Sequence, residues 1–375
     1  MSTAEAEAME DSDLGTVRIA ADQGLADAVA DKICARLDGH RLSSGTVLHA
    51  EAVSLPLPPV ESGRPDMETW SSLLATGSAK SGESENANTI TLCVSEIPRR
   101  VGSRPVLAEI VGTSMVVIYV PSFGARAVAR RAGAVALTAI ESMRRRDDDT
   151  DDGSPVAPDH PTPATGLAHW SVDSGHDILL APALLGRTRM VAGMIRTNRP
   201  WRLVPALSGA LAAATATSAF GVFYSSIWQM AASMSVLRLT CVSVIAVALI
   251  TAWLILPNGL WERRTRRQTG VDRAMYNMAT LATVFAGVLF MYAALFLVVG
   301  AASAVVISPE FLSMQLDRDA EALDYVRLAW LAASLGTVAG AVGSTVADQE
   351  QILGATFGHR EAARRRAAKS RLSTD

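Results

Sequence analysis

The second half of this chain contains four long stretches without a charged residue, at Leu203–Leu237, Leu239–Trp261, Ala274–Pro309 and Leu328–Ala347. Each holds about 20 or more mostly apolar residues, enough to cross a ~30 Å hydrocarbon layer as a helix. The charges in the gaps differ in number and in sign. Arg187–Arg202 carries Arg187, Arg189, Arg196, Arg199 and Arg202 and no acid, and the first gap carries only Arg238. The second gap sets Arg263, Arg264, Arg266, Arg267 and Arg273 against Glu262 and Asp272. The third, Ser308–Tyr325, reverses the sign, with Glu310, Asp317, Asp319, Glu321 and Asp324 against Arg318. The tail after Ala347 is basic again.

Basic loops resist translocation and stay cytoplasmic. The pattern therefore predicts spans at about 203–226, 237–257, 279–307 and 326–346, in a cell membrane, with both termini in the cytoplasm. Aromatic rings favour the headgroup region. Trp201, Tyr224, Trp228, Trp261, Tyr276 and Tyr325 all fall near expected span ends. Basic loops on the inner face imply contact with anionic lipid headgroups.

The remaining sequence reads as a second kind of chain. Net charge is −3 over 375 residues, and the basic residues gather beside the spans, so no nucleic-acid partner is expected. Met1–Asp13 is acidic and small-residue rich, reads as disordered through residue 14, and lacks the apolar core of a signal peptide. Cys34, Cys93 and Cys241 offer neither a metal knuckle nor an even disulfide set, which fits a reducing compartment. Gly24–Leu37 reads as a helix, with Leu25, Val29, Ile33 and Leu37 on one face.

Thr46–Leu55, Thr89–Val94, Pro105–Val111 and Ser114–Val120 read as strands, the last two joined at Gly112–Thr113. Asp66–Ala75 and Phe123–Met143 read as helices. The expectation is an α+β/α membrane protein. A small cytoplasmic α/β domain (15–146) is followed by an acidic, proline-rich linker (147–177) and a basic juxtamembrane segment (178–202). A four-helix transmembrane domain (203–347) and a basic tail (348–375) complete it. Ile178–Arg199 suits either a helix on the inner leaflet or a polar lead-in.

Within the four uncharged stretches there is no Asp, Glu, Lys, Arg or His, which argues against an ion-coupled pump. Small residues recur every four positions, at Gly209, Ala213, Thr217 and Gly221, and at Ala332, Gly336, Gly340 and Ser344. Such stripes allow close helix approach, either inside one bundle or across a homo-oligomer interface.

The chain has no dinucleotide, P-loop, zincin or nucleophile-elbow motif, and no cofactor is expected. His169, Asp173, His176 and Asp177 are of metal-ligand type, but the segment has no evident scaffold and no metal is assigned. The best candidate for a ligand site is SEIPRRVGSRPVLAE, Ser95–Glu109. Glu96, Arg99, Arg100, Arg104 and Glu109 crowd between two apolar strands, and arginine forks suit a carboxylate or phosphate. The same residues would also serve as Arg–Glu pairs that order the strands.

Several segments resemble a family of uncharacterised four-span membrane proteins from GC-rich, actinobacterial-type bacteria. They are Ile195–Trp228, NGLWERR from Asn258, MYNMATLATV from Met275, Asp324–Ser344 and CVSEIPRRVGSRPVLAEI with VVIYVPSFGA. The resemblance implies the two-part architecture. Some members carry a tetrahydrofolate dehydrogenase label, for which this chain has no dinucleotide fingerprint. Members usually have an aspartate at the position of Glu96, which keeps the charge. The function expected first is a non-enzymatic scaffold, sensor or regulator with an unknown protein partner. The second is an oligomeric transporter of a small or lipid-like molecule, and the third a membrane-tethered enzyme acting on folate or a phosphorylated metabolite.

Overall fold

A computed structural model describes residues 14–22, 24–53, 60–61, 64–65, 89–150, 168–173, 175–200, 208–261 and 270–343. The chain divides into two compact units, Met1–Thr197 and Asn198–Asp375.

The first unit is a mixed α/β sheet domain. Its strands are β1 (Leu14–Ala21), β2 (Val47–Val53), β5 (Thr89–Ser95), β6 (Arg100–Val101), β7 (Arg104–Val111), β8 (Met115–Tyr119), β9 (His169–Asp173) and β10 (His176–Leu180). A separate two-stranded piece pairs β3 (Val60–Glu61) with β4 (Arg64–Pro65). The main sheet runs β2-β1-β5-β8-β7-β10-β9, with β6 paired to β7 off that path. The first four strands are parallel, and the antiparallel β7, β10 and β9 extend the sheet beyond β8. All five residues of β8 are buried, as expected of a central strand covered on both faces.

Helices α1 (Leu25–Leu37) and α2 (Val128–Thr150) cover one face. Val29, Ile33 and Leu37 of α1 meet Val135, Ala139 and Ile140 of α2 over Ile19, Leu92 and Ile118. The opposite face buries Cys93, Val117, Tyr119 and Ile178.

The sheet exceeds the sequence reading at both ends. No strand was expected at Leu14–Ala21, yet β1 lies between β2 and β5. The domain was expected to end at 146. Instead α2 runs into the acidic segment, and β9 and β10 lie within the expected linker and lead-in. The segment after them forms α3 (Ala183–Asn198). It packs on the first unit, where Gly193 sits against the Pro121 carbonyl and Gly186 against Pro105. The helix expected at Asp66–Ala75 lies outside the described residues.

The second unit is helical: α4 (Ser208–Phe223), α5 (Ser225–Ser233), α6 (Val236–Ile255), α7 (Gly270–Val306), α8 (Pro309–Leu316) and α9 (Ala322–Gly343). Two helices are long and apolar enough to span a membrane, Val236–Ile255 and Arg273–Val306. The pair α4 and α5 qualifies as a third span only if counted together, and it bends by 86° at Tyr224. Trp228 donates to the Gly221 carbonyl across that bend (3.0 Å) and stacks edge-on against Phe311 of α8.

The outward faces of α6 and α7 stay apolar: Ile245 is 64%, Leu297 67% and Val305 86% exposed. An apolar groove of about 770 Å³ runs between them, from Ser243 and Tyr292 to Trp261.

Helix α9 is the hub, packing against α4, α6 and α7. A Cβ at Gly336 would collide with Ser218 Oγ and lie 2.5 Å from the Ala214 carbonyl oxygen, and one at Gly340 would lie 2.9 Å from the Ala210 carbonyl oxygen. Gly221 in turn leaves room for Ala332. The small residues of α9 therefore pack within the chain. On α4 the buried stripe is Ala210, Ala214, Ser218 and Gly221. This corrects the expected one by a residue: Gly209, Ala213 and Thr217 are only half-buried. Ser344 lies outside the described residues.

Overpacking a tight helix contact costs about 1–3 kcal/mol. Gly336→Leu is expected to lower the melting temperature of the detergent-solubilised chain. Gly300→Ala, whose added methyl meets Ala329 at an ordinary 3.7 Å, should leave it unchanged. Equal melting of the two variants would remove Gly336 from the packing account. A change in particle size alone would move its stripe to an oligomer interface.

Candidate functional site

The crossing of β1 and β5 is where open α/β sheets form a ligand crevice, because connections leave neighbouring strands in opposite directions at their carboxyl ends. Asp22 follows β1, is fully buried, and accepts from Ser95 Oγ (3.1 Å) and from the Glu96 amide (2.7 Å). Gly24 begins α1 and has no side chain to cap it. Glu96 supplies the cap from β5: its Oε1 accepts from the Leu25 amide (2.5 Å) and the Ala26 amide (3.0 Å). Any Cβ at Gly24, which sits at φ 132°, would lie 2.7 Å from that oxygen. The positive end of the helix is thus held by the chain's own carboxylate.

Arg99 and Glu109 meet on the sheet face opposite α1 and α2. Arg99 is 4% and Glu109 5% exposed. Arg99 Nη2 donates to Glu109 Oε1 (3.0 Å) and to Asp173 Oδ2 (3.1 Å). Tyr119 OH donates to Glu109 Oε2 (2.6 Å), and His176 Nδ1 lies 3.0 Å from Glu109 Oε1. The two Glu109 oxygens therefore have three partners on three separate segments. Burial, then the Glu109 charge, push the Tyr119 hydroxyl well above its ordinary 10.0.

Arg100 and Arg104 stay apart from this cluster. Arg100 donates to the Gly102 carbonyl (2.7 Å) in the β6–β7 hairpin, and Arg104 Nη1 lies 2.8 Å from His169 Nε2 at the surface. The five predicted residues thus form three groups: a helix cap, a buried ionic cluster and an exposed hairpin. Asp173 and His176, considered in the sequence as metal-ligand types, belong to the ionic cluster. Tyr119 was not foreseen at all. It lies within an unbroken apolar strand, MVVIY, where only its hydroxyl hinted at a partner. Among the described residues no group of three or more His, Cys, Asp or Glu side chains converges as a metal site.

The chain matches no known family, no curated protein and no solved structure.

Breaking a buried ion pair from one side strands the other charge, at about 3–5 kcal/mol. Arg99→Ala is therefore expected to destabilise the first unit by about 3 kcal/mol or more, read by denaturant titration with tryptophan fluorescence. Arg104→Ala, at the surface, should stay within about 0.5 kcal/mol. Equal effects would show that Arg99 has no special place in the fold.

Tyr119 also sets an alkaline limit. Below pH 10 the hydroxyl is protonated in both folded and unfolded chains. Above it the unfolded chain releases the proton while the folded one holds it, so stability falls as pH rises. Tyr119→Phe should lower stability near neutrality, by loss of the Glu109 hydrogen bond, and flatten the decline above pH 10. Parallel wild-type and variant curves would refute that assignment.

Proposed function

We propose that this chain is a multi-pass membrane protein with four spans and both termini in the cytoplasm. Its α/β unit serves as a non-enzymatic scaffold, sensor or regulatory module for another protein. The observation that carries the non-enzymatic part is the mutual pairing of Arg99, Glu109, Asp173, Tyr119 and His176. Groups that would act on a substrate hold one another and fix three strands.

The membrane part rests on the apolar outward faces of α6 and α7 and on the contrast between the arginine-rich gap at Arg263–Arg273 and the acidic one at Glu310–Asp324. Helix α9, with 22 residues, is about 33 Å long at ~1.5 Å per residue and matches a fourth span. Its two charges lie at one end. Asp324 is gripped by both Arg318 amino groups (2.8 and 2.5 Å), and Arg327 donates to the Ala232 carbonyl (3.3 Å). Hydrogen bonding to Arg318 holds the Asp324 carboxyl below its ordinary range. The bent pair α4 and α5 suits a span that turns along the interface at its outer end.

Single cysteines at Arg264 and Asp319, in a chain otherwise free of cysteine, test the orientation in intact cells. An impermeant maleimide should label the Asp319→Cys chain at once and the Arg264→Cys chain only after permeabilisation; the reverse pattern would overturn the layout. A permeant cross-linker followed by capture of the full chain should recover a repeated protein partner that an impermeant cross-linker does not. Repeated recovery of the bare chain under both conditions would overturn the scaffold reading.

A further inference from the structure

Three guanidinium groups converge on one turn at the carboxyl end of β8. Arg131 Nη1 donates to the Phe123 carbonyl (2.9 Å), Arg189 Nε to the Ser122 carbonyl (3.3 Å), and Arg196 Nη1 to the Ala125 carbonyl. Arg131 comes from α2, while Arg189 and Arg196 come from α3, two turns apart on one side of that helix. The turn is shaped to admit them. Gly124 has φ 80°, and a Cβ there would lie 2.5 Å from Arg189 Cγ, so only glycine lets that stem cross.

What sets this cluster apart is its charge. By contrast, Arg99 pairs with Glu109 and Asp173, and the half-buried Arg18 with Glu51. Among the described residues no carboxylate pairs with Arg131, Arg189 or Arg196. Arg189 is half-buried, and both its burial and the neighbouring Arg131 charge push it below its ordinary range, so the two cations repel one another.

Each of the three commits one N–H to the turn, out of the five a guanidinium carries. The surroundings add to the positive field. Helix α2 starts at Val128 with no acidic residue in its first turn, where acids are normally favoured. Ala127, just before it, holds φ 51°, a left-handed conformation unusual for alanine. The Ser122 hydroxyl, in the same turn, is fully buried and has no partner among the described residues.

We propose that Arg131, Arg189 and Arg196, gathered on the Ser122–Ala125 turn, form a binding site for a phosphoryl group. Planar forks with spare donors match phosphate oxygens in bidentate fashion, and phosphates favour the carboxyl edge of parallel strands and the amino ends of the helices that follow. Two sources share this chemistry. One is a soluble phosphate or phosphomonoester. The other is the phosphodiester of an anionic lipid, since Arg196, Arg199 and Arg202 lead by sequence directly into the uncharged stretch at Leu203. The site lies within the first unit, so its occupancy can be read independently of membrane topology and of any protein partner.

The full chain serves for both arms of the test. In neutral detergent, inorganic phosphate is titrated by calorimetry and by thermal melting. In a second arm, the chain is melted in nanodiscs of phosphatidylglycerol and of phosphatidylcholine. Saturable phosphate binding would identify the soluble source. No phosphate binding, with a higher melting point in phosphatidylglycerol, would identify the lipid source.

In either case Arg189→Gln and, separately, the exposed Arg196→Gln should weaken the effect by about tenfold, the scale of one charge-assisted hydrogen bond. Arg196→Gln also guards against a folding defect at the more buried Arg189. Absence of both effects in the wild type would overturn the proposal. So would a phosphatidylglycerol effect that both variants retain in full, because general attraction to the bilayer would then account for it.

Discussion

The outward faces of α6 and α7 constrain everything else in the second unit, because they are apolar on helices long enough to cross a membrane. Ile245, Leu297 and Val305 stand free of the chain's own packing. Hydrocarbon removes the drive to bury such side chains, so the helices cannot be held together by burial alone. Contact then has to come from close fit and from internal hydrogen bonds, and both converge on α9. Gly336 and Gly340 bring its backbone against α4. On another side, Ser243 of α6, Tyr292 of α7 and Ser334 of α9 lie 3.0 Å from one another, and Trp330 donates to Ser243 at 2.6 Å. This knot joins three helices without a charged group, so the bundle gains specificity while avoiding the cost of an ionised side chain at depth.

The first unit solves the opposite problem, since it brings charge into its interior. Glu109 can be buried because its oxygens accept from Arg99, Tyr119 and His176 at once. A buried pair of this kind costs desolvation as well as gaining attraction, so its main product is registry. It ties the Ser95–Arg99 loop to β7, β8 and the late strands β9 and β10, which are otherwise distant in the chain. Glu96 does the same for β5 and α1. Charges that looked in the sequence like a waiting site are instead fasteners. The arginines around Ser122–Ala125 differ because their partners are carbonyls, which leave their charge unneutralised.

Local sequence signals reveal the parts that local physics determines. The period of α1, the hairpin of β7 and β8 and the apolar lengths of α6 and α7 were all readable. Non-local pairings were not. Leu14–Ala21 follows an acidic, small-residue leader and becomes a strand only because β2 and β5 flank it on either side. HWSVD and HDILL carry histidines and aspartates that masked an antiparallel hairpin at the end of the sheet. The role of Glu96 depends on a partner some 70 positions earlier, which spacing cannot reveal. The stripe on α4 failed for a geometric reason. A strict four-residue step drifts around a helix of 3.6 residues per turn, whereas Ala210, Ala214, Ser218 and Gly221 correct the drift with one step of three.

The two units divide the work of charge between them. The uncharged stretches of the second unit carry none, and at the Asp324 end of α9 charge is paired with Arg318. In the first unit the buried Arg99–Glu109 pair and its partners lock strands in register. Among the described residues, three arginines with carbonyl partners gather where α2 starts and α3 crosses the turn after β8. Helix α3 is also the last element of the first unit before the second begins at Asn198. An anion drawn to that turn would bind the helix through which the chain passes from one unit to the other. Arg189 and Arg196 are its handles: neutralising Arg189 would relieve its repulsion with Arg131 and tighten α3 on the sheet domain.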